Sequence, residues 1–583
     1  MSTSFILLIG IVIYLIAYFT YGKALSTKVV GADDSRITPA HSKGDGIDFV
    51  PAKPSVLFGH HFASIAGAAP ILGPAMAIAW GWWAGLLWIW FGNIVIGAVH
   101  DYLAIMASVR YEGKSVQWIA GKMMKKRTSY MIQVFAYLAL VLALAAFSTS
   151  LARLFMPNPD IASATFWFIL AAVITGYLLF KVKINFVLGT IIGLILTALA
   201  IWLGVLFPLS LSYQAWMIVF FIYMMVASAL PVWVLLQPRD YLNAYILVLG
   251  LIGGVIALLF AGTQMEVAGF TSWSATVVGG TPSPLWPVIP LVVACGSLSG
   301  IHALIGSGTT SKQLDRETQG LIVGYGGMLT EGLLSTVVTI SIAGFGLMVL
   351  GDAAEQLAEA GIEYEKLKDP IYFAANYMKS INVVGGPLGI FARSYGQAIG
   401  KAFGISGRIG SIFSSLWVSA FVLTSMDTGA RVARFAWEEV LEPLKEKTSG
   451  LHSVIANRWF GSALASGVSI LLAWGGAYTI LWPAFGGANQ MLAAVTMLTV
   501  ALWVYKVRKV EHKFMWAVVV PALALWFSVI AALVWYLTAV PATLIVRGFI
   551  VLEIVLALIL GYDFYKSIKR KSISGGPDEN IGI

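Results

Sequence analysis

Long apolar runs alternate with short polar segments along almost the whole chain. A helix needs about 20 apolar residues to cross a bilayer. The pattern predicts an all-α polytopic membrane protein with fifteen spans, at about 4–21, 55–80, 84–109, 129–153, 163–180, 184–207, 215–236, 241–261, 286–307, 321–350, 409–430, 459–481, 485–505, 514–538 and 542–565. A Gly-rich segment, 386–405, carries Arg393 and Lys401 and is predicted to be re-entrant or interfacial.

The composition supports this fold class and excludes several others. Of the 583 residues, 59% are hydrophobic and 11% are charged, whereas about 25% are charged in a typical soluble domain. A soluble enzyme, a disordered chain and a nucleic-acid-binding protein are therefore excluded. Cys295 is the single cysteine, so no intrachain disulfide can form. The first apolar run has no basic residue before it and no small-residue cleavage site after it, which predicts a retained span.

The distribution of basic residues predicts the orientation. With the N-terminus outside and fifteen crossings, 29 of the 37 Lys and Arg residues fall in the inside loops. Because cytoplasmic loops are enriched in Lys and Arg, the N-terminus is predicted outside and the C-terminus in the cytoplasm.

Two spans contain residues that interrupt a helix. Span 2 has a cluster of glycine and proline near its middle: Gly67, Pro70, Gly73 and Pro74. Proline removes a backbone donor, and non-helical backbone at membrane depth is tolerated where it lines a cavity or is buried in protein. Span 7 has Pro231 within Ala227–Trp233, where the alternative is a simple kink. Paired broken helices of opposite orientation are typical of a transporter's binding site.

Ionisable residues inside the spans are costly and are therefore candidates for function. The predicted proton-coupling residues are His60, His61, Asp101, His302 and Glu331. Histidine can carry a proton near neutral pH. A structural hydrogen bond between His100 and Asp101 is an equal alternative. Asp427 lies one turn before Arg431, and an i,i+4 ion pair near the membrane surface is the favoured interpretation.

The run Gly306–Lys312 has the composition of a phosphate loop but not its pattern, since Ser311 precedes the lysine and Gln313 follows it. Its hydroxyls are instead predicted to line a polar vestibule or a cation site: Ser307, Thr309 and Thr310. The candidate ligands include no i,i+4 pair like that of H-E-x-x-H, so no metal site is predicted.

At five motifs the sequence resembles the carbon starvation protein A family of bacterial inner-membrane transporters. These are FGHHFASIAGAAPILGPA (58–75), GAVHDYLA (97–104), LPVWVLLQPRDYLN (230–243), SGIHALIGSGTTSKQL (299–314) and SAFVLTSMDTGARVARF (419–435). The resemblance implies uptake of small carbon sources in starvation, either of peptides or of pyruvate with protons. It also implies membership of the amino acid–polyamine–organocation superfamily, with a five-plus-five inverted repeat of spans 2–6 and 7–11. A seven-plus-seven division, 2–8 and 9–15, also inverts correctly.

The resulting division has four parts: an N-terminal span and basic loop (1–54), the transport core (55–440), a C-terminal region of four spans (441–566) and a cytoplasmic tail (567–583). A substrate carboxylate is predicted to bind at the break of span 2, with the break of span 7 and Ser297–His302 forming the opposite wall. The predicted substrate-binding residues are Ala66, Gly67, Ala68, Ala69, Pro70, Ser228, Ser297 and Ser299.

The sequence predicts a transporter and not an enzyme, with no cofactor and no nucleic-acid partner. It leaves open whether the substrate is pyruvate or a peptide, and it does not give the oligomeric state. The alternatives are sodium coupling through span 2 carbonyls and the three hydroxyls, and a membrane nutrient sensor.

Overall fold

The computed structural model describes residues 1–45, 48–230, 236–441 and 449–570. These residues are mostly helical, with one antiparallel strand pair, β1 (Ser274–Thr276) and β2 (Pro282–Pro284). The α-helices are α1 Thr3–Ala17, α2 Pro39–Ser42, α3 Pro54–Ile65, α4 Ala69–Ala77, α5 Trp82–Gly92, α6 Ala98–Arg110, α7 Val116–Met123, α8 Lys126–Phe155, α9 Pro159–Tyr177, α10 Phe186–Leu206, α11 Tyr213–Ala229, α12 Leu236–Phe260, α13 Leu285–Val292, α14 Gly300–Gly308, α15 Gly327–Gly351, α16 Ala354–Glu359, α17 Pro370–Asn382, α18 Gly386–Phe403, α19 Gly407–Leu441, α20 Ser449–Ile455, α21 Arg458–Ala473, α22 Tyr478–Trp503, α23 His512–Ala539 and α24 Leu544–Lys569.

Eleven helices in the described residues are long and apolar enough to cross a membrane, or twelve with one bent pair counted as a span. Short 3₁₀ and π turns join or extend some of them, as in Thr3–Val30 and Trp82–Arg110. The all-α polytopic fold is therefore confirmed. Three of the fifteen predicted spans are not among these twelve. Two of them, 215–236 and 459–481, correspond to the shorter apolar helices α11 and α21. The third, 286–307, is divided in two.

The break predicted in span 2 is confirmed. Helix α3 ends at Ile65, a new helix runs from Ala69 to Trp80, and the two are bent by 53°. Pro70 lies in the first turn of α4, where its missing N–H costs nothing, and thereby favours a new helix start. The predicted break of span 7 at Pro231 lies in 231–235, outside the described residues.

The interpretation of 286–307 as one continuous span is wrong. Helix α13 ends at Val292, α14 begins at Gly300, and the segment between them is not helical. Side chains of α22 bind the carbonyls of this segment: Asn489 Nδ2 donates to Ala294 at 2.6 Å, and Gln490 Nε2 donates to Val293 and Leu298 at 3.3 Å. Because the protein satisfies these carbonyls, the chain can leave the helix at membrane depth.

Segment 386–405 forms the helix α18, which packs against α19, α15 and α12. Its Tyr395 hydroxyl donates to the Gly250 carbonyl of α12 at 2.6 Å. The segment is not among the described helices that are long and apolar enough to cross a membrane, and its predicted re-entrant or interfacial position stays a prediction.

The two broken spans are in direct contact. A Cβ atom on Gly73 of α4 would lie 2.5 Å from the Val292 carbonyl oxygen and 2.9 Å from the Val293 Cα atom. Ser335 of α15 also donates to the Pro70 carbonyl at 2.9 Å, and Asn93 donates to the Gly296 carbonyl at 2.9 Å. The two spans are thus in close backbone contact, and each break is also bound by a side chain of a neighbouring segment.

This contact predicts that substitution by alanine has very different effects on stability at two glycines of span 2. Gly73→Ala should lower the free energy of unfolding by about 1–3 kcal/mol, because the new methyl group meets backbone atoms that cannot rotate away. Gly59→Ala on α3 is the matched control, since a Cβ atom added there would have no neighbouring atom within 4 Å. Thermal unfolding of both variants in detergent measures the difference, and equal stability would contradict the close packing of the breaks.

Candidate functional site

A cavity of about 1340 Å³ lies between the two broken spans and helices α8, α12 and α19. At one end its wall contains Gly67 and Ala69 from the first break and Cys295 and Ser299 from the second. At the other end are Lys312, Glu439 and other residues of segments predicted to be cytoplasmic. The cavity therefore connects the predicted cytoplasmic surface with both breaks.

A buried carboxylate, Asp101 of α6, binds two histidines beside this cavity. Its Oδ1 atom lies 2.8 Å from His100 Nδ1, and its Oδ2 atom lies 3.0 Å from His302 Nδ1. His61 Nε2 is 4.0 Å from the same Oδ2 atom. Asp101 and these histidines are at most 1% exposed. The hydrogen bond between His100 and Asp101 is present, but Asp101 also connects α6 to α14.

His302 links this carboxylate to a second one. The other ring nitrogen, Nε2, lies 3.5 Å from Glu331 Oε2 and 3.3 Å from Cys295 Sγ. Both Glu331 oxygens are buried and have no hydrogen-bond partner in the described part of the chain. His302 and Cys295 line the cavity. The cluster from Asp101 to Glu331 is therefore in contact with the cavity through its central residue, His302.

The ligand atoms of Cys295, His302 and Glu331 lie within 4.8 Å of one another, which is also a possible metal-ion arrangement. The sulfur and the carboxylate both face the single atom Nε2, while Nδ1 is bound to Asp101. An imidazolium ring donates from both nitrogens and fits these contacts. A metal-binding histidine whose second ring nitrogen is held by a carboxylate fits them as well.

The two neighbouring histidines of α3 have different surroundings. His60 is exposed and lines the cavity, whereas His61 is fully buried and its Nδ1 lies 2.9 Å from the Thr310 hydroxyl. Of the other hydroxyls, Ser307 donates to the Ala303 carbonyl and Thr309 to that of Ile305. Each of the three predicted cation-site hydroxyls thus binds a different partner, and the structure does not direct them to one point.

The predicted substrate-binding residues are distributed unequally. Gly67, Ala69 and Ser299 line the cavity, while Ala66, Ala68 and Pro70 belong to the same turn around the break. Ser297 is buried beside Gly92 and donates to the Val293 carbonyl at 3.0 Å. Ser228 is also buried, and its hydroxyl donates to Met225 of its own helix. The structure therefore does not bring Ser228 and Ser297 to the cavity wall.

The favoured pairing of Asp427 with Arg431 is wrong. The carboxylate of Asp427 binds Arg239 of α12, whose Nη2 is 3.0 Å from Oδ1 and whose Nη1 contacts Oδ2. Tyr223 of α11 donates to the same carboxylate at 3.1 Å. Arg431 instead donates to the carbonyls of Ala227 and Leu230 at 2.7 Å, at the end of α11. Because Arg239 and Tyr223 already bind Asp427, Arg431 instead satisfies the carbonyls at the end of α11.

The sequence interpretation did not include several residues that the structure places at the candidate site. Asn489 accepts from the Ser299 hydroxyl at 3.0 Å and from the Ile301 amide at 3.2 Å, so it positions the start of α14. Cys295, considered only for disulfides, lies beside His302. The signal was present, because Asn489 and Gln490 are adjacent polar residues inside a long apolar run.

Comparisons with known proteins agree with these motifs. The family model described as carbon starvation protein CstA matches residues 2–532. The peptide transporter CstA of Escherichia coli K12 is 30% identical over 88% of this chain and 78% of its own length. The corresponding protein of Bacillus subtilis 168 is 29% identical over 96% and 95%. The pyruvate/proton symporter BtsT of E. coli K12 is 30% identical over 89% and 80%.

Among solved structures, a manganese transporter of Eremococcus coleocola covers 87% of this chain and 95% of its own, with 10% identity and a TM-score of 0.41. That similarity is too low to indicate a shared fold or substrate. The family match, by contrast, spans both broken helices, the Asp101–Glu331 cluster and the cavity. The chain therefore belongs to the carbon starvation protein CstA family and is a multi-pass membrane transport protein.

Proposed function

We propose that this protein is a secondary active transporter of the bacterial inner membrane that takes up small carboxylate-bearing carbon compounds together with protons. The observation that carries the proposal is the buried cluster of Asp101, His302 and Glu331 between two broken helices at a cavity wall. Two relatives, a peptide transporter and a pyruvate/proton symporter, support the substrate class and the coupling ion.

The substrate carboxylate binds where the two broken spans meet. Helix α4 begins at Ala69 and α14 at Gly300, and the cavity wall contains Ala69 and, next to Gly300, Ser299. The first amides of a helix lack partners within it, and the helix dipole makes this end positive. Transporters of this kind use the N-termini of half-helices for anionic substrate groups.

The coupling proton is held on the cluster around His302. One ring nitrogen faces Asp101 and the other faces Glu331, so the imidazole can pass a proton between two carboxylates. A buried charge is costly without a partner, and adding a proton changes the charge balance of the whole cluster. Since α14 carries His302 and also begins at the substrate site, protonation and substrate binding act on the same half-helix.

The two broken spans are predicted spans 2 and 9. If the repeat consists of spans 2–8 and spans 9–15, each half begins with a broken span. This correspondence supports an inverted seven-plus-seven repeat, with the N-terminus outside and the C-terminus in the cytoplasm. Transport, and not catalysis, is the function of the site. Sodium coupling is less favoured because Ser307, Thr309 and Thr310 bind separate partners.

Uptake by purified protein in liposomes tests the proposal. Labelled alanyl-alanine and labelled pyruvate are offered separately with an inward proton gradient, an inward sodium gradient or neither. We expect accumulation of at least one substrate with the proton gradient, and none above equilibrium with sodium alone. Accumulation that follows the sodium gradient, or none under any condition by folded protein, would refute proton-coupled uptake.

A further inference from the structure

Asn243 of α12 is a polar residue of the cavity wall that belongs neither to the proton cluster nor to the two breaks. It is 3% exposed and lines the cavity across from the broken spans. Its Oδ1 atom is buried and has no hydrogen-bond partner among the residues that the structure describes. A buried acceptor without a donor is costly, so a ligand that supplies the donor is favoured.

The orientation of this amide follows from its neighbour. The Thr424 hydroxyl donates its one proton to the Ala420 carbonyl at 2.9 Å. It can therefore only accept from Asn243, whose Nδ2 atom lies 3.0 Å away. Since Nδ2 is fixed toward Thr424, the other end of the amide must be the oxygen. The unsatisfied atom beside the cavity is an acceptor and not a donor.

This acceptor is close to the predicted carboxylate site. Ser425 follows Thr424 on α19, lines the cavity, and accepts from the Ala68 amide in the first break at 3.3 Å. A chain of contacts therefore runs from Asn243 through Thr424 and Ser425 to the start of α4. A small ligand whose carboxylate meets α4 can reach Asn243 with another of its polar groups.

We propose that Asn243 determines specificity by accepting a hydrogen bond from an N–H group of the substrate. The inference rests on the proposed function and deepens it. A zwitterionic amino acid or small peptide carries both a carboxylate and an N–H donor. A 2-oxo acid anion offers only acceptors and leaves Asn243 Oδ1 unsatisfied. Sites that hydrogen-bond a substrate group discriminate strongly against analogues without that group.

Equilibrium binding tests this directly. Purified protein in detergent is titrated with alanyl-alanine and, separately, with pyruvate, and binding is followed by tryptophan fluorescence. We expect alanyl-alanine to bind at least tenfold more tightly than pyruvate. This comparison uses the unaltered protein, so it does not depend on any variant folding.

Asn243→Leu removes the acceptor and keeps the branched shape of the side chain. We expect it to weaken alanyl-alanine binding about tenfold and to leave the affinity for pyruvate unchanged. Asn376→Leu is the matched control: Asn376 donates to the Tyr372 carbonyl on α17 and does not line the cavity. It should change neither affinity.

Three results would overturn the proposal: pyruvate binding as tightly as the dipeptide, no binding of either, or equal weakening of both ligands in Asn243→Leu. These results are distinguishable from failure of the proposed function. Proton-driven uptake by liposomes can succeed while the preference for an N–H donor fails. A dipeptide preference through Asn243 can likewise be present when uptake follows sodium.

Discussion

His302→Gln is expected to lower proton-driven substrate accumulation on the order of 100-fold, a loss typical of removing a positioned proton-transfer group. The imidazole is the only group that contacts both buried carboxylates in the described residues, through Nδ1 to Asp101 and Nε2 to Glu331. Glutamine is neutral at all pH values and cannot carry the proton between them. Uptake of labelled substrate into liposomes with an inward proton gradient measures the loss.

A purely structural role of His302 would give a different result. If His302 carries the proton, exchange of labelled for unlabelled substrate without a gradient should persist in the variant. His41→Gln is the matched control, because His41 is an exposed histidine paired with Asp315 outside the membrane. Equal loss of exchange and of driven uptake would contradict the proton-carrying role.

Arg239→Leu is expected to lower the free energy of unfolding by about 3–5 kcal/mol, the usual effect of removing one partner from a buried ion pair. Both Arg239 and Asp427 are fully buried, and the pair joins α12 to α19. Without the guanidinium, the Asp427 carboxylate loses its buried ion-pair partner and keeps the Tyr223 hydroxyl. Thermal or denaturant unfolding in detergent measures the change.

The double variant Arg239→Leu/Asp427→Leu distinguishes the loss of the whole ion pair from the loss of one partner. It should recover most of the lost stability, because no uncompensated charge is left in the interior. Lys366→Ala is the control at an exposed ion pair, and its loss should leave the stability nearly unchanged. If the double variant were as unstable as the sum of both single variants, the pairing would not explain the effect.

The fold class and the first break could be predicted because they depend on local sequence. An apolar run of about 20 residues is long enough to cross the bilayer, and the cluster of glycine and proline near Gly67 favours a break in the helix. The second break could not be found in the same way. Pro287 and Pro290 lie before it, but its non-helical segment is stabilised by Asn489 and Gln490, nearly 200 positions away in the sequence.

In the candidate site, too, local sequence identifies single residues but not the contacts between distant ones. His302, Asp101 and Glu331 were identifiable one at a time, since each is an ionisable residue in an apolar span. Their mutual contact could not be read from spacing, because it joins α6, α14 and α15. Asp427 shows the opposite error: Arg431 is its neighbour in sequence, but Arg239 on another helix is its partner.

The most direct test of proton coupling measures proton movement caused by the substrate itself. Liposomes containing the protein and a trapped pH-sensitive dye receive an inward gradient of alanyl-alanine, or of pyruvate in a parallel sample, without any imposed pH or sodium gradient. Coupled transport predicts acidification of the lumen that requires the substrate gradient and is lost in His302→Gln. Entry of labelled substrate into the wild-type liposomes with no change in lumenal pH would contradict it.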